Sequence, residues 1–276
     1  MTENLEYRKT IAVKEEIETD GHRPLLVITD NFKSYYIKNS RDKFPAYHLI
    51  NEFLCHYLQN IWNIQTPNIA AVNVNQELLP PKLSSFHKPH YYNTLCFGSE
   101  TVENSVEADD FLHISSKHDY NKFNNPFDYF RLSLFDIWVE NEDRKPSNPN
   151  FLLRNSDGKY DIIPIDNAFA FFSGSFEIMK NTKGTVSQSY NDNLLYAEIG
   201  QKMLEYALSE ENFASNMKDY FYLCVENCNK KWYEIVENIP HSLKFTQDLQ
   251  KVIFNFLFDP IRNKKVLKQF YSYLPS

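Results

Sequence analysis

Apolar and polar positions alternate near the start of the chain and recur with helical spacing further on. Residues 1 to about 48 read as strands. Pro24–Thr29 (PLLVIT) is a β-run, Asp30-Asn31 marks a turn, and Ser34–Lys38 (SYYIK) is the returning strand of a hairpin. From Tyr47 to Trp62 the period changes: Leu49, Ile50, Phe53, Leu54, Tyr57, Leu58 and Ile61 share one face of an amphipathic helix of about four turns. Thr66-Pro67 ends it, and Ile69–Val74 (IAAVNV) is another strand. Pro80, Pro81 and Pro89 make Leu78–Asn93 loop-like, and the short apolar run Thr94–Phe97 leads to Gly98, read as a hinge. Helical patterns then cover Pro126–Glu140, Leu194–Leu208, Glu210–Val236 and Thr246–Phe258, with a short helix near Tyr273. Phe169–Tyr190 reads as irregular. One hairpin interrupts the helices: Phe151–Leu153, a turn at Asn155-Ser156-Asp157-Gly158, and a return over Asp161–Ile165. Strands first and helices afterwards predict an α+β protein with a β-rich N-terminal lobe (residues 1–98) and a mostly helical C-terminal lobe (residues 99–276).

The 276 residues suffice for two lobes, and 42% apolar with 16% aromatic content excludes disorder as the main state. A net charge of −7 argues against broad neutralisation of nucleic-acid phosphates, so no direct nucleic-acid partner is expected. No stretch reaches the length of a membrane span, and the N-terminus is too charged for a signal peptide; a cytoplasmic protein is expected. Cys55, Cys96, Cys224 and Cys228 lack zinc-type pairing and read as free thiols packed as small hydrophobes. With six glycines in all, no GxGxxG or Walker loop exists.

The chemistry concentrates in Asn141-Glu142-Asp143-Arg144-Lys145-Pro146-Ser147-Asn148 and Ile162-Ile163-Pro164-Ile165-Asp166. A carboxylate is followed five residues on by a carboxamide, and eighteen residues later by a second carboxylate. Phosphotransfer from ATP uses such groups: one Asp orients or deprotonates the attacking hydroxyl, while an Asn and a second Asp hold Mg²⁺. Phe130–Val139 is apolar with helical period, which puts Asp143 on a loop just past a helix, and the hairpin carries Asp166 back beside Asp143 and Asn148. Asp and Asn are common caps of turns and helices, and Asp143 taken alone favours that reading. The whole set, with its hydrophobic flanks, favours the functional reading. Upstream, Lys38 ends a strand and Glu52 falls off the apolar stripe of the next helix, free to face a cleft. A strand Lys braced by a helix Glu is how kinase-fold enzymes aim an ammonium at nucleotide phosphates. Exposed lysines at strand ends, Lys33 and Lys43 among them, are ordinarily solvated surface, so this pair gains its force from the downstream triad.

Several of these stretches resemble the HipA-like kinase domain of bacterial proteins. They are Gly21-His22-Arg23-Pro24-Leu25-Leu26-Val27 with Tyr36-Ile37-Lys38, Glu52, Trp138-Val139-Glu140-Asn141-Glu142-Asp143-Arg144, Asn148-Pro149-Asn150-Phe151-Leu152-Leu153 and Pro164-Ile165-Asp166. The resemblance covers roughly residues 18–175, and the C-terminal helices match only loosely. It implies a bilobal protein-kinase-like fold and an ATP- and Mg²⁺-dependent kinase. The best known members of the family are Ser/Thr kinases of toxin–antitoxin systems, which adds a protein hydroxyl as acceptor and an antitoxin or regulatory partner. Asp143 would be the catalytic base, Asn148 and Asp166 the magnesium ligands, and Lys38 the phosphate-contacting lysine braced by Glu52. Gly21 would lie in the phosphate loop, and Thr94–Gly98, with Leu95 and Phe97, would be the hinge that meets adenine through backbone groups. Two departures stand out: Asp166 is followed by Asn167-Ala168 rather than Phe-Gly, and the loop near Gly21 has a single glycine. A small-molecule or lipid kinase on the same fold, or a nucleotide-binding pseudokinase acting as an interaction module, are the alternatives.

Overall fold

The computed structural model describes residues 4–19, 23–108, 114–174, 176–181 and 184–274. Strands β1 (Glu6–Glu16), β2 (Leu25–Thr29), β3 (Ser34–Lys38), β4 (Ile69–Asn73) and β5 (Cys96–Glu100) close into a barrel in the order β1-β2-β3-β5-β4. The β2–β3 hairpin has the expected register, with Leu25 opposite Ile37 and Ile28 opposite Ser34. Closure comes from β1, which pairs antiparallel with β2 over Thr10–Glu16 and parallel with β4 over Glu6–Lys9. Two register shifts bend β1, and such bulges let one strand serve two partners at a barrel corner. Alternate residues Leu25, Val27, Tyr35, Ile37, Ala70, Val72 and Cys96 fill the interior.

Gly98 is not a hinge. It lies in the middle of β5, paired with Ile37 on one side and Ala70 on the other. Its missing side chain serves packing: a Cβ there would stand 2.6 Å from Val72 Cγ2 and 3.3 Å from the Ala70 carbonyl oxygen. The chain leaves the barrel only after Glu100.

Helix α1 (Tyr47–Ile61) carries the apolar stripe expected of it, and lies between the barrel and the remainder of the chain. At its end Trp62 stacks on Trp138 at 5.2 Å and meets Phe135 and Phe221 edge-on. The rest is β6 (Ser105–Glu107), α2 (Lys117–Tyr120), α3 (Phe127–Val139), β7 (Phe151–Ser156), β8 (Lys159–Pro164), α4 (Ala170–Gly174), α5 (Phe176–Asn181), α6 (Glu198–Ala207), α7 (Phe213–Glu237), α8 (Gln247–Leu257) and α9 (Pro260–Tyr271). The chain is thus a mixed α+β protein, β-rich at its N-terminal end and helical at its C-terminal end. The β7–β8 hairpin turns on Asp157 and Gly158, with φ of 53° and 82°; both are left-handed, as a two-residue type I′ turn requires. β6 adds a third strand that the sequence pattern does not announce, and the stretch read as irregular before Tyr190 contains α4 and α5. All four cysteines are buried.

Two polar seams hold these parts in register. On α1, His48, Asn51, Glu52 and Gln59 point into the protein. Asn51 Nδ2 donates to the Ala168 and Ala170 carbonyls at 2.9 and 2.7 Å, Gln59 Nε2 donates to Asn167 Oδ1 at 3.1 Å, and the His48 ring meets the Ala168 carbonyl at 3.2 Å. The second seam is the guanidinium of Arg144, fully buried. It pairs with Asp136 of α3 at 2.5 Å, and donates to the carbonyls of Asn150 (3.2 Å) and Ile165 (2.7 Å) and to Asn167 Oδ1 (3.1 Å). Burial pushes the Asp136 carboxyl up to about 6 against the opposing pull of Arg144.

Two stability outcomes follow from this packing. Gly98→Ala forces β5 away from Val72, and overpacking of this kind is expected to lower the urea midpoint by the equivalent of about 1–3 kcal/mol; an unchanged midpoint would show that the barrel has room. Arg144→Met strands the buried Asp136 carboxylate, with an expected loss of about 3–5 kcal/mol that a second change, Asp136→Asn, partly recovers. A single-variant loss below about 1 kcal/mol would contradict the role given to Arg144.

Candidate active site

Lys38 is the last residue of β3 and stands opposite Phe97 of β5, on the outer face of the barrel. Its ammonium lies 2.6 Å from Glu52 Oε1 and 2.9 Å from Asp166 Oδ1, bridging α1 to the residue just past β8. Burial alone would lower the pKa of the amine, but Asp166 and Glu52 outweigh it and hold the Lys38 pKa well above its ordinary value. Glu52 does not face an open cleft: its side chain is 2% exposed. Its second oxygen accepts the Asn167 backbone N–H at 2.9 Å. Burial raises its pKa, opposed by Lys38. Asp166 is the outward member of the triad, 30% exposed, with a left-handed backbone (φ 54°) that aspartate tolerates better than most residues. Non-glycine residues held in this region cluster at functional sites.

Asp143 sits on the loop that follows α3, as its flanks predict. Its backbone N–H donates to Asn141 Oδ1 at 3.3 Å, and its Oδ2 accepts Asn150 Nδ2 at 3.2 Å. Lys145 and Asn148 close a tight turn through paired backbone bonds of 3.1 and 2.9 Å. That turn brings the Asn148 carboxamide back to the Asp143 carbonyl, to which its nitrogen donates at 3.2 Å. With the nitrogen so engaged, the Asn148 carboxamide oxygen is the atom available to a cation. Asn150 joins the two acidic loops: it donates to Asp143, while its own carbonyl accepts the N–H of Ile165, the neighbour of Asp166, at 2.9 Å. Asp143, Asn148 and Asp166 are therefore held in one cluster of loops, and Lys38 and Glu52 attach to it through Asp166 and Asn167.

The nucleotide-side expectations fare less uniformly. Gly21 lies outside the described residues. Phe97 is buried edge-on against Phe53, and as a central-strand residue its backbone groups belong to the sheet. Leu95 is half-buried ahead of the strand and packs against the main core. Arg144, Asn150 and Asn167 are the site-shaping residues that the sequence reading passed over. A weak signal existed in their positions: Arg144 adjoins Asp143, Asn167 adjoins Asp166, and Asn150 lies two residues past Asn148.

Comparison with known proteins places this geometry in context. No curated protein matches the sequence. Among solved structures, the chain is similar to the proinflammatory kinase CtkA of Helicobacter pylori, with a TM-score of 0.54 at 10% identity, over 97% of each chain. At that identity the likeness is one of fold. The family model for HipA-like kinases matches residues 11–272, nearly the whole chain. The match takes in the barrel, the Asp143 loop and the C-terminal helices together, and the chain belongs to the HipA-like kinase family.

Proposed function

We propose that this kinase transfers the γ-phosphate of ATP, with Mg²⁺, to the hydroxyl of a Ser or Thr in a protein. The observation that carries the reading is the Lys38 ammonium locked between Glu52 and Asp166, with the Asp166 loop tied to Asp143 through Ile165 and Asn150. A charged amine held in place by two carboxylates is a fixed donor for phosphate oxygens. The acceptor class is supported by the family resemblance, as is a regulatory partner of the antitoxin kind.

In this reading the barrel, through Glu100, and the remainder of the chain form two lobes, with ATP between them at the Lys38 end. Asp143 aligns the acceptor hydroxyl and takes its proton. The hydroxyl oxygen bonds to the γ-phosphorus while the bond from that phosphorus to the β–γ bridging oxygen breaks, and ADP leaves with the electron pair. Asn148 and Asp166 would hold Mg²⁺, which neutralises phosphate charge when bound. Their oxygen donors suit that hard cation. Among the described residues no group of three His, Cys, Asp or Glu could hold a metal, so phosphate oxygens and water would complete its shell. No helix among the described residues is long and apolar enough to cross a membrane.

Two substitutions test the assignment. Asp143→Asn keeps the turn and its bond to Asn150, so ATP binding and thermal stability should persist while phosphotransfer falls by about two orders of magnitude or more, about 3 kcal/mol in barrier. Retained activity in that folded variant would end the assignment of Asp143. Asp166→Ala should abolish turnover and weaken ATP binding only when Mg²⁺ is present. Equal weakening with and without the metal would point to a structural defect instead.

A further inference from the structure

Glu140 closes α3 in the left-handed conformation, φ 51°, where glycine or asparagine is usual. Its carboxylate is fully buried and well used. It accepts the backbone N–H groups of Ser187 and Gln188 at 2.9 and 2.7 Å and the guanidinium of Arg262 at 3.2 Å. Arg262, itself buried, lies 3.7 Å over the Phe256 ring and fixes Glu140 from α9. Gln188 then reaches the Asp143 loop directly. Its Nε2 donates to the Asn141 carbonyl at 2.9 Å, its Oε1 accepts from Asn193 at 3.3 Å, and its carbonyl accepts Gln269 Nε2 at 2.9 Å. Asn141 in turn accepts the N–H of Asp143.

One short loop therefore grips a single stretch of chain at both ends. Arg144 holds the start, at Ile165 and Asn167 beside Asp166, and Glu140 with Asn141 holds the return, at Ser187 and Gln188. Lys38 and Asp166 mark the start as the nucleotide's end. On the kinase reading, a hydroxyl aligned by Asp143 would enter between that end and the return. We infer that Gln188, backed by Glu140 and Arg262, is a positioning residue for the acceptor: it sets the Asn141–Asp143 backbone against the returning chain, and with it the place the acceptor hydroxyl occupies. The inference rests on the kinase reading above.

The test uses the full chain with Mg-ATP, and dephosphorylated casein as the acceptor. Three quantities are measured: Mg-ATP affinity, ATP hydrolysis to water, and transfer to casein. Gln188→Met keeps the length of the side chain but removes its two hydrogen bonds. Misplacement of about an ångström at a reacting centre costs up to about a hundredfold, so transfer should fall roughly ten- to a hundredfold with a higher KM for casein. Mg-ATP affinity and hydrolysis should stay within about threefold of the unsubstituted protein, a split that general destabilisation would not produce. Gln269→Ala, which removes the donor to the Gln188 carbonyl along with the Gln269 contact to Tyr273, should show the same split at smaller size, and it covers the case in which Gln188→Met folds poorly. Equal transfer by both variants and the unsubstituted chain, or a parallel loss of hydrolysis and transfer, overturns the positioning role alone. An unsubstituted chain that does not phosphorylate casein counts against the protein-kinase reading and takes this inference with it.

Discussion

A guanidinium cannot shed its proton inside a protein, and it has five N–H donors and no acceptor. Once Arg144 is buried, the chain around it must supply acceptors from several directions at once. Here they come from α3, from the foot of the β7–β8 hairpin at Asn150, and from the residues that follow β8. Those pieces could pack against one another in many ways on hydrophobic grounds alone. The directionality of the guanidinium selects one arrangement, in which the Asp143 loop and the Asp166 loop are neighbours. The adjacency of the Asp143 and Asp166 loops is thus a by-product of satisfying one buried cation.

The second cation works at the other limit of exposure. Lys38, Glu52 and Asp166 form a gradient from the buried Glu52 to the part-exposed Asp166, with one positive and two negative charges. Such a set keeps the amine protonated and leaves a surplus of negative charge on its outward side, where a divalent cation and a polyphosphate would meet it. Exposed pairs such as Lys230–Glu226 have the same distances but little electrostatic consequence, because water and salt screen them.

The sequence shows some of this and hides the rest for identifiable reasons. The β2–β3 and β7–β8 hairpins are legible because alternation and turn chemistry are local, as at Asp157-Gly158. The Lys38–Glu52 pair and the Asp143–Asn148–Asp166 set are legible because the chemistry restricts the residue types. What stays hidden is long-range. The parallel pairing of β1 with β4 leaves no trace in either strand's pattern, and Gly98 looks like a bend because nothing in its neighbourhood discloses that Val72 will lie against it. Asn51, Glu52 and Gln59 share a helical face, but a polar face reads as a wet one until the residues opposite are known to be the carbonyls of Ala168 and Ala170 and the side chain of Asn167. Glu140 looks like the end of an apolar helix, with no local hint that backbone from Ser187 and Gln188 will come to it.

Closing the barrel through β1 and β4 has an effect on association as well as on shape. An open sheet presents a row of unpaired N–H and C=O groups to which another chain can add as an extra strand, in recognition or in aggregation. In the five-stranded barrel each strand has a neighbour on both sides. The small β6-β7-β8 sheet is also guarded, since Tyr160 of β8 exchanges backbone hydrogen bonds with Lys122 and Asn124, and β6 is only three residues long. Strand addition to a described sheet is therefore disfavoured, and a protein that binds this kinase meets loops, helices and side chains rather than an unpaired backbone.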